Sequence, residues 1–324
     1  MDGLLVIDKP AGPTSHDVVA RLRRALGERR IGHTGTLDPG ATGVLPLLLG
    51  RATRLAQFIS RADKGYRAVL HLGVRTDSGD ADGRPLGEPW HGALPDAAAI
   101  EAALDRFRGR FLQRPPSFSA KKVAGRRSYA VARERRRSET EINAAAPKTA
   151  LDIEAAGDQP GAIAVTAHRL SLEAIDGECL TLDIKCSAGF YVRSLADDLG
   201  QQLGTGAHLV ALQRTRHGDF TLADAISLDR AEQDAAGAHR RIIPMSRLLT
   251  TLDAVTLTPE GVKSAAHGRD LTPAAFAHLP GAMRDHPDLS TDRLVRLLSP
   301  AGDLLGIARP STTAGLLHPF VVLM

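Results

Sequence analysis

Hydrophobic residues recur along the first 245 positions with two periods, and each period predicts a different kind of element. Apolar positions three or four residues apart after Thr14 or Ser15 predict a helix that Gly27 ends. Further helices are predicted at 52–59, at 97–107, around 195–199 and around 209–212. A short apolar run predicts a buried strand at 3–7, and alternation of apolar and polar residues predicts strands at 66–72, 163–168 and 180–186.

The pattern changes near residue 245, where the longer elements give way to short ones separated by glycine and proline. A short helix is predicted at 259–266, and alternating strands are predicted at 294–298 and 304–308. We therefore predict a first domain over residues 1–245, with an insert at about 106–147, and a small β-rich domain over residues 246–324.

Composition narrows the class of protein without naming an activity. The chain has 324 residues, of which 43% are hydrophobic and 24% charged, and these values are typical of a globular protein. A net charge of +4 permits a polyanionic partner. No apolar run reaches the length of about eighteen residues that a membrane helix needs, so we expect a cytoplasmic protein with no membrane contact.

The two cysteines, Cys179 and Cys186, argue against a metal site. They form no CxxC pair and no cluster with histidine, so we predict that the protein binds no zinc. Two thiols in a chain of this size are typical of a reduced, cytosolic protein.

Basic residues concentrate in one tract that overlaps the predicted insert. Between Arg106 and Arg137 there are twelve lysines or arginines and one acid, Glu134. A charge run is most often a solvated face. Here aromatic residues are interleaved at positions 107, 111, 118 and 129, and that combination favours contacts with the phosphates of a nucleic acid.

Three shorter blocks contain candidate site residues. Asp38 stands before a proline in a loop crowded with glycine and threonine, where a turn former and a reactive carboxylate are both possible. Tyr66 is one of three tyrosines, and on a strand it can be a half-buried core residue or a stacking platform for a base. Arg193 follows a strand and begins a helix; it can pair with Asp197 on the surface, or with a catalytic carboxylate that it would keep ionised.

Other chemistries lack the required residues. The acidic segment around Asp77, Asp80 and Asp82 resembles a calcium loop at first sight, but Asp82 stands where such a loop needs glycine, so we predict a simple turn. The chain contains no phosphate-binding P-loop, no GxSxG and no HExxH motif.

Taken together, several long motifs resemble the bacterial TruB family of tRNA pseudouridine-55 synthases. The matching stretches, in one order along the chain, are residues 3–17 (GLLVIDKPAGPTSHD), 32–39 (GHTGTLDP), 41–46 (ATGVLP), 64–66 (KGY), 76–77, 115–116, 119–120 and the block 186–204. Many spaced motifs in a fixed order are far more specific than any one of them.

The resemblance implies an α+β pseudouridine-synthase fold with a mixed, largely antiparallel central sheet, flanking helices and a C-terminal PUA-like RNA-binding domain. It implies the following roles: Asp38 as the catalytic aspartate, His33 as the histidine that displaces the target base, Tyr66 as the stacking tyrosine, Arg193 as the partner of the aspartate, Tyr191 and Leu212 as pocket residues, and Lys9 and Pro10 as the loop that supports the active site.

The same resemblance implies an isomerase that flips uridine 55 out of the T stem-loop of tRNA, needs no cofactor or metal, and works as a monomer without an obligatory protein partner. Two other classes stay open on the residues alone. One is a binding module such as the scaffold of a guide-RNA particle, and the other is a metal-dependent RNA hydrolase built on the acidic segment.

The chain departs from the family pattern at three places. Phe118 replaces a tyrosine, Phe190 stands where threonine is common, and Gln213-Arg214 replaces a pair of arginines. We expect these differences to alter only the details of RNA binding.

Overall fold

The computed structural model describes residues 1–116, 122–123, 126–127, 161–278, 293–313 and 315–324. The helices are α1 (Ser15–Leu26), α2 (Ala56–Ile59), α3 (Ala97–Leu104), α4 (Val192–Leu203), α5 (Leu228–Gln233), α6 (Ala235–Arg240) and α7 (Pro259–Ala266). Short 3-10 turns lie at Gly50–Leu55, Asp105–Phe107, Leu222–Asp224, Met245–Arg247 and Pro273–Ala275.

The strands fall into one large sheet, one smaller sheet and two short hairpins. They are β1 (Gly3–Lys9), β2 (Ile31–His33), β3 (Thr42–Leu49), β4 (Lys64–Leu72), β5 (Arg75–Thr76), β6 (Pro85–Leu86), β7 (Gly109–Gln113), β8 (Lys122–Val123), β9 (Arg126–Arg127), β10 (Ile163–Asp176), β11 (Cys179–Cys186), β12 (Ala207–His217), β13 (Phe220–Thr221), β14 (Ile226–Ser227), β15 (Ile243–Pro244), β16 (Asp253–Leu257), β17 (Phe276–His278), β18 (Val295–Leu298), β19 (Leu304–Pro310) and β20 (Leu317–Val322).

The large sheet confirms the predicted fold class. Within the described residues it has eleven strands, with the main order β14-β1-β3-β12-β4-β11-β10-β7. Among the described strands of this sheet, only the pairs β1–β14 and β3–β12 are parallel, so the large sheet is mixed and largely antiparallel, as expected. The smaller sheet, in the order β17-β16-β18-β19-β20, forms the β-rich C-terminal part.

Helix α1 begins and ends where the sequence predicts. Thr14 caps it, because its hydroxyl accepts a hydrogen bond from the backbone N–H of Asp17. The Asp17 carboxylate in turn accepts a hydrogen bond from the backbone N–H of Thr14. Gly27 ends the helix with φ of 64°, a left-handed conformation that favours glycine. The buried face of α1 (Val18, Val19, Leu22 and Leu26) packs on β1 and β3.

Both faces of β1 are covered, which explains its continuous apolar sequence. Leu5 and Ile7 face α1, whereas Leu4 and Val6 face a second cluster on the other side of the sheet. That second cluster also contains Leu304, Ile307, Val321 and Leu323 of the C-terminal part. The C-terminal sheet therefore shares a hydrophobic core with the strand that leads into Lys9.

The helix predicted around 209–212 is wrong, because this segment lies within strand β12. Leu209 and Leu212 are three residues apart, which suits one face of a helix. In β12 the pairing with β4 shifts register between Leu209 and Ala211. Such a bulge adds one residue to a strand, so two leucines three apart can return to the same face of the sheet.

Candidate active site

Asp38 lies in the connection between β2 and β3, here called the Asp38 loop (residues 34–41), and buried polar groups hold this loop from below. Lys9, at the end of β1, is fully buried. Its ammonium group donates to the carbonyls of Pro10, Pro39 and Ala41 at 2.8, 3.0 and 2.7 Å. Burial lowers the pKa of Lys9 to about 8, while the nearby Asp38 carboxylate opposes this shift. Lys9 therefore supports the loop from inside, and Pro10, which is exposed, contributes its carbonyl to the same set of bonds.

The first residue of α1 holds the other side of the same loop. The Ser15 hydroxyl donates to the carbonyl of Leu37 at 3.1 Å and accepts from the Leu37 N–H at 2.9 Å. The backbone N–H of Ala41 donates to the carbonyl of Asp38, so Asp38 begins a tight turn. The carboxylate consequently projects from a loop whose backbone is fixed on both sides of it.

Arg193 contacts Asp38 directly. The Arg193 Nε lies 3.0 Å from Asp38 Oδ2, and the arginine side chain is 7% exposed whereas the aspartate side chain is 45% exposed. Of the two alternatives left open by the sequence, the pairing with a candidate catalytic carboxylate is therefore the one found. Asp197 instead forms a two-pronged ion pair with Arg75 at 2.7 and 3.1 Å.

Arg193 also contacts a second carboxylate, in the turn between β5 and β6 (residues 77–83, here the Asp80 turn). Its Nη1 lies 3.6 Å from Asp80 Oδ2 and donates to the carbonyl of Ser78 at 3.0 Å. Gly79 has φ of 73°, and a Cβ there would meet the Arg193 carbonyl at 3.3 Å. The acidic segment is a turn, as predicted, but the sequence analysis missed that it reaches the site.

The start of α4 is held in place by a side chain that the sequence analysis did not single out. Gln113, at the end of β7, accepts from the N–H of Tyr191 at 2.8 Å and donates to its carbonyl at 2.9 Å. Tyr191 is half-buried and directly precedes the first residue of the helix. This pair of bonds fixes the backbone from which Arg193 extends.

Tyr66 lies on β4, directly opposite Arg214 on β12. It is 7% exposed, and burial raises its pKa to about 12 while the Arg214 guanidinium bonded to its hydroxyl opposes the shift. Arg214 is itself buried and donates to the carbonyls of Val44 at 2.6 Å and Gly35 at 3.1 Å. Arg214 therefore links Tyr66 to the Asp38 loop inside the protein. The departure from the family pattern lies at Gln213, so the expectation that it alters only RNA binding stays a prediction.

His33 ends β2 and lies at the start of the Asp38 loop. Its ring packs edge-on against the ring of His16, with centroids 5.1 Å apart. Burial, aided by the charges of His16 and Arg214, lowers the pKa of His33 to about 4. Its Nδ1 is buried and has no hydrogen-bond partner among the described residues. His33 is therefore a neutral imidazole at pH 7.

A cavity of about 130 Å³ opens beside Asp38 and collects part of the predicted set. Its lining residues come from the Asp38 loop, the Asp80 turn, α4 and β12: Asp38, Pro39, Gly40, Ala41, Asp80, Ala81, Asp82, Arg193, Leu209, Val210 and Leu212. Asp38, Arg193 and Leu212 therefore share one cavity. Tyr66 and His33 are not among the lining residues, and they approach the Asp38 loop from below and from β2.

Only the start of the basic tract is described, and there it is tied to the protein. Arg108 pairs with Glu101 at 2.6 Å and with Asp105. Arg106 donates to Gln202 at 2.9 Å. The rest of the predicted insert lies outside the described residues, apart from the backbone of the β8–β9 hairpin.

Phe190 is buried and packs edge-on against Phe111, so it belongs to the core.

Metal clusters and membrane-spanning helices are both absent from the described part of the chain. No group of three histidine, cysteine or acidic side chains in the described ranges is arranged to hold a metal ion. Among the helices of those ranges, none has the length and apolar character needed to cross a bilayer.

Two family models match this chain. A family model for the N-terminal domain of TruB family pseudouridylate synthases matches residues 23–157, and a model for the C-terminal domain of tRNA pseudouridylate synthase B matches residues 193–254. The chain belongs to the TruB family. It is 40% identical to the tRNA pseudouridine synthase B of Solibacter usitatus over 325 residues, with 100% of both chains covered.

Other relatives agree. The tRNA pseudouridine synthase B of Burkholderia lata is 38% identical over 320 residues, covering 98% of this chain and 89% of the relative. Among solved structures, a chain in the crystal structure of a Cbf5-Nop10-Gar1 complex has a TM-score of 0.70 at 27% identity, covering 99% of this chain and 85% of that one. A chain in the structure of an H/ACA RNP bound to a substrate RNA containing 2′-deoxyuridine has a TM-score of 0.68 at 25% identity, with the same shares covered.

Proposed function

We propose that this chain is a tRNA pseudouridine synthase that converts uridine 55 in the T arm of tRNA to pseudouridine without a cofactor. One observation carries the proposal. The exposed Asp38 carboxylate is paired with the buried Arg193 guanidinium at 3.0 Å, in a chain whose full-length relatives are named tRNA pseudouridine synthase B.

The reaction is an isomerisation, so its atoms balance without a co-reactant. The bond between N1 of uracil and C1′ of ribose breaks, the base turns, and a bond forms between C5 and C1′. C5 loses a proton and N1 gains one. A single carboxylate suits this chemistry as a nucleophile at C1′ or as a base at the ribose, and we assign Asp38 that position.

Arg193 acts on the orientation of this carboxylate. Its guanidinium is rigid and nearly buried, and it is fixed at once by Asp38, Asp80 and the Ser78 carbonyl. A planar fork of donors restricts the rotation of a carboxylate more than a flexible ammonium does. We propose that Arg193 is a positioning residue that keeps the Asp38 carboxylate aimed into the cavity.

The target uridine must leave its stack before it can react. Flipping a base out of folded RNA costs a few kcal/mol of free energy. Stacking of the base on an aromatic ring stabilises the flipped state by about 1–3 kcal/mol per base. We assign His33 to the displacement of the base and the Tyr66 ring to its support. Leu212 lines the cavity, and we assign Tyr191, which is not among its lining residues, to a contact with the flipped base from the start of α4.

We further propose that the chain acts on tRNA by itself, as a monomer in the cytoplasm, with the C-terminal PUA-like part as a second RNA contact. The structural relatives come from complexes with Nop10 and Gar1. The curated relatives, which the chain covers to 100% and 89% of their length, are named tRNA pseudouridine synthase B, and this similarity favours action without a guide RNA.

The test is release of tritium from C5-labelled tRNA transcript by the purified chain alone. We expect release from the normal transcript and none from a transcript in which uridine 55 is replaced by cytidine. Asp38→Asn should abolish release while retaining RNA affinity, because the amide keeps the size of the side chain but is neither a nucleophile nor a base.

Two arms of the experiment exclude the alternatives. Release that persists in EDTA excludes a metal-dependent hydrolase, and intact transcript length after the reaction excludes strand cleavage. If Asp38→Asn turned over normally, the assignment of the carboxylate would be wrong. If release required added guide RNA or partner protein, the scaffold alternative would replace the stand-alone enzyme.

A further inference from the structure

We propose that the free edge of strand β2, together with the arginines beside it, binds the phosphate backbone of the RNA next to the target uridine. This inference rests on the proposed function and adds a binding surface to it. We call the surface the β2 edge and define it by the outward backbone groups of Ile31 and His33, by Gly32, and by Arg23, Arg29 and Arg30.

The hydrogen-bond pattern of β2 leaves one side of the strand available. In the described residues β2 pairs only with β3, with Gly32 opposite Leu48. The Arg30 carbonyl accepts from Gly50 and the Thr34 N–H donates to Pro46, so the even-numbered residues bond to β3. In an antiparallel pair the residues between them point their N–H groups away from the partner. The N–H groups of Ile31 and His33 therefore face the free edge.

A cation already reaches this edge. Arg23, on the exposed side of α1, donates from Nη2 to the carbonyl of Ile31 at 2.7 Å. A guanidinium has five N–H donors, so this bond leaves others for a phosphate that sits beside the edge. An anion at this position would meet the Arg23 guanidinium and the backbone N–H of the partly exposed His33, whereas Ile31 is buried.

The charge of the surrounding segment suits a polyanion. Residues 21–30 contain five arginines and one acid, and Arg21 among them is already paired with Asp229 and Glu232. The carboxylate of this acid, Glu28, accepts hydrogen bonds from the N-terminal ammonium at 3.5 Å and from the N–H of Arg30 at 2.8 Å. The side chains of Arg29 and Arg30 are exposed. A surface with this excess of arginine favours phosphate contacts.

Gly32 provides an observation that packing within the protein does not explain. A Cβ added there would meet nothing within 4 Å, and its φ is not in the left-handed region. Neither a clash nor a backbone conformation therefore requires glycine at this position. A glycine within a strand often marks the close approach of another backbone, and RNA beside His33 would supply one.

The location connects this surface to the site. His33 is the last residue of β2, its ring contacts His16 at the start of α1, and the Asp38 loop begins at the next residue. In the proposed function His33 displaces the target base, so the RNA on either side of that base would lie close to this edge. The β2 edge would therefore hold the strand that carries the target.

The test uses Gly32→Ala and the double variant Arg29→Ala/Arg30→Ala, with binding of a labelled T-arm hairpin measured over a range of salt concentrations. Gly161→Ala is the matched control for the glycine, because a Cβ at Gly161 also meets nothing and its φ is also outside the left-handed region. Arg240→Ala, on α6, is the control for the arginines.

We expect Gly32→Ala to unfold at the wild-type temperature but to bind the hairpin about tenfold more weakly, with KM raised and kcat nearly unchanged. The double arginine variant should reduce the slope of log affinity against log salt by about 0.7–0.9 for each phosphate that the protein no longer neutralises. The two controls should match wild type in both measurements.

Wild-type affinity and salt slope in both test variants, in an enzyme that still forms pseudouridine, would overturn the inference and leave the proposed function intact. If the wild-type chain formed no pseudouridine, the proposed function itself would fail. If Gly32→Ala proved unstable, the salt slope of the arginine variant would still decide the question, since exposed arginines at these positions are not part of the core.

Discussion

The Asp38 loop and the Asp80 turn are both polar, glycine-containing connections that present an aspartate to the same guanidinium, yet they are built differently. The Asp38 loop is held by groups distant in sequence, namely Lys9, Ser15 and Arg214. The Asp80 turn is held partly by near neighbours, since Thr76 and Ser78 donate to the Asp80 carbonyl and carboxylate at 2.8 and 2.6 Å. It is held partly by β12, because Leu209 exchanges two backbone hydrogen bonds with Gly79 and Ala81.

The carboxylates of Asp38 and Asp80 also differ in their contacts. The carboxylate of Asp80 already accepts from a neighbouring hydroxyl, whereas that of Asp38 pairs with Arg193 and is 45% exposed at the cavity. The comparison suggests that one acid reacts and the other fixes the arginine between them. Four changes test this division of roles, from the largest expected effect to the smallest.

Arg193→Lys removes the guanidinium that contacts both the Asp38 loop and the Asp80 turn. A single ammonium cannot span both carboxylates and the Ser78 carbonyl in the way a planar fork does. We expect kcat to fall on the order of 100-fold, because small misplacements of a reacting group cost rates of that size. Single-turnover pseudouridine formation measures the effect, and a variant within twofold of wild type would exclude a positioning role.

Asp80→Asn tests the acid that we assign to support. The amide keeps the shape and can still accept from Ser78, but it loses the charge that faces Arg193. We expect kcat to fall about tenfold, equivalent to about 1.4 kcal/mol in the barrier, with little change in KM. The control is Asp176→Asn at the β10–β11 hairpin, near the far end of β4 from Tyr66. A complete loss of activity in Asp80→Asn would show that the reacting carboxylate is wrongly assigned.

Lys9→Met should loosen the Asp38 loop and spare the Asp80 turn. It removes the donor from three carbonyls in the interior, and each buried acceptor left without a partner costs about 1–3 kcal/mol. We expect the free energy of unfolding to drop by at least about 2 kcal/mol, with a smaller loss of kcat than in Asp80→Asn. Lys185→Met, an exposed change of the same kind on β11, is the control in urea unfolding.

Acid should destabilise the protein through the histidines near the Asp38 loop, since the Asp80 turn contains none. Burial lowers the pKa of His33 to about 4 and that of His217 to about 3. The ordinary value is about 6.5, so between these values the unfolded chain binds more protons and stability rises with pH. This contribution is present above about pH 6.5 and is lost as the pH falls towards 4.

His33→Phe removes one of these titrations, so its urea midpoint should fall less than that of wild type between pH 7 and pH 4.5. His91→Asn, an exposed histidine in the loop after β6, should follow wild type. Parallel pH curves for wild type and His33→Phe would show that the buried imidazole does not govern acid stability.

Local sequence determined much of this molecule. The caps of α1 at Thr14 and Gly27, the two-sided apolar run of β1 and the alternation in β4, β10 and β11 follow from near neighbours alone. So did the choice of Asp38, Tyr66 and Arg193 as candidates, because each stands in a motif long enough to resemble a family.

Only the tertiary structure decided which charges meet. Arg193 had two acids available to it, and the pairing with Asp38 depends on Gln113 and on a turn more than a hundred residues earlier in the chain. The burial of Arg214 depends on the strands that close around it, and the strand character of β12 depends on a bulge against β4. Sequence patterns record local periodicity, whereas burial and ion pairing are set by residues far apart in sequence, which is why the site needed the fold.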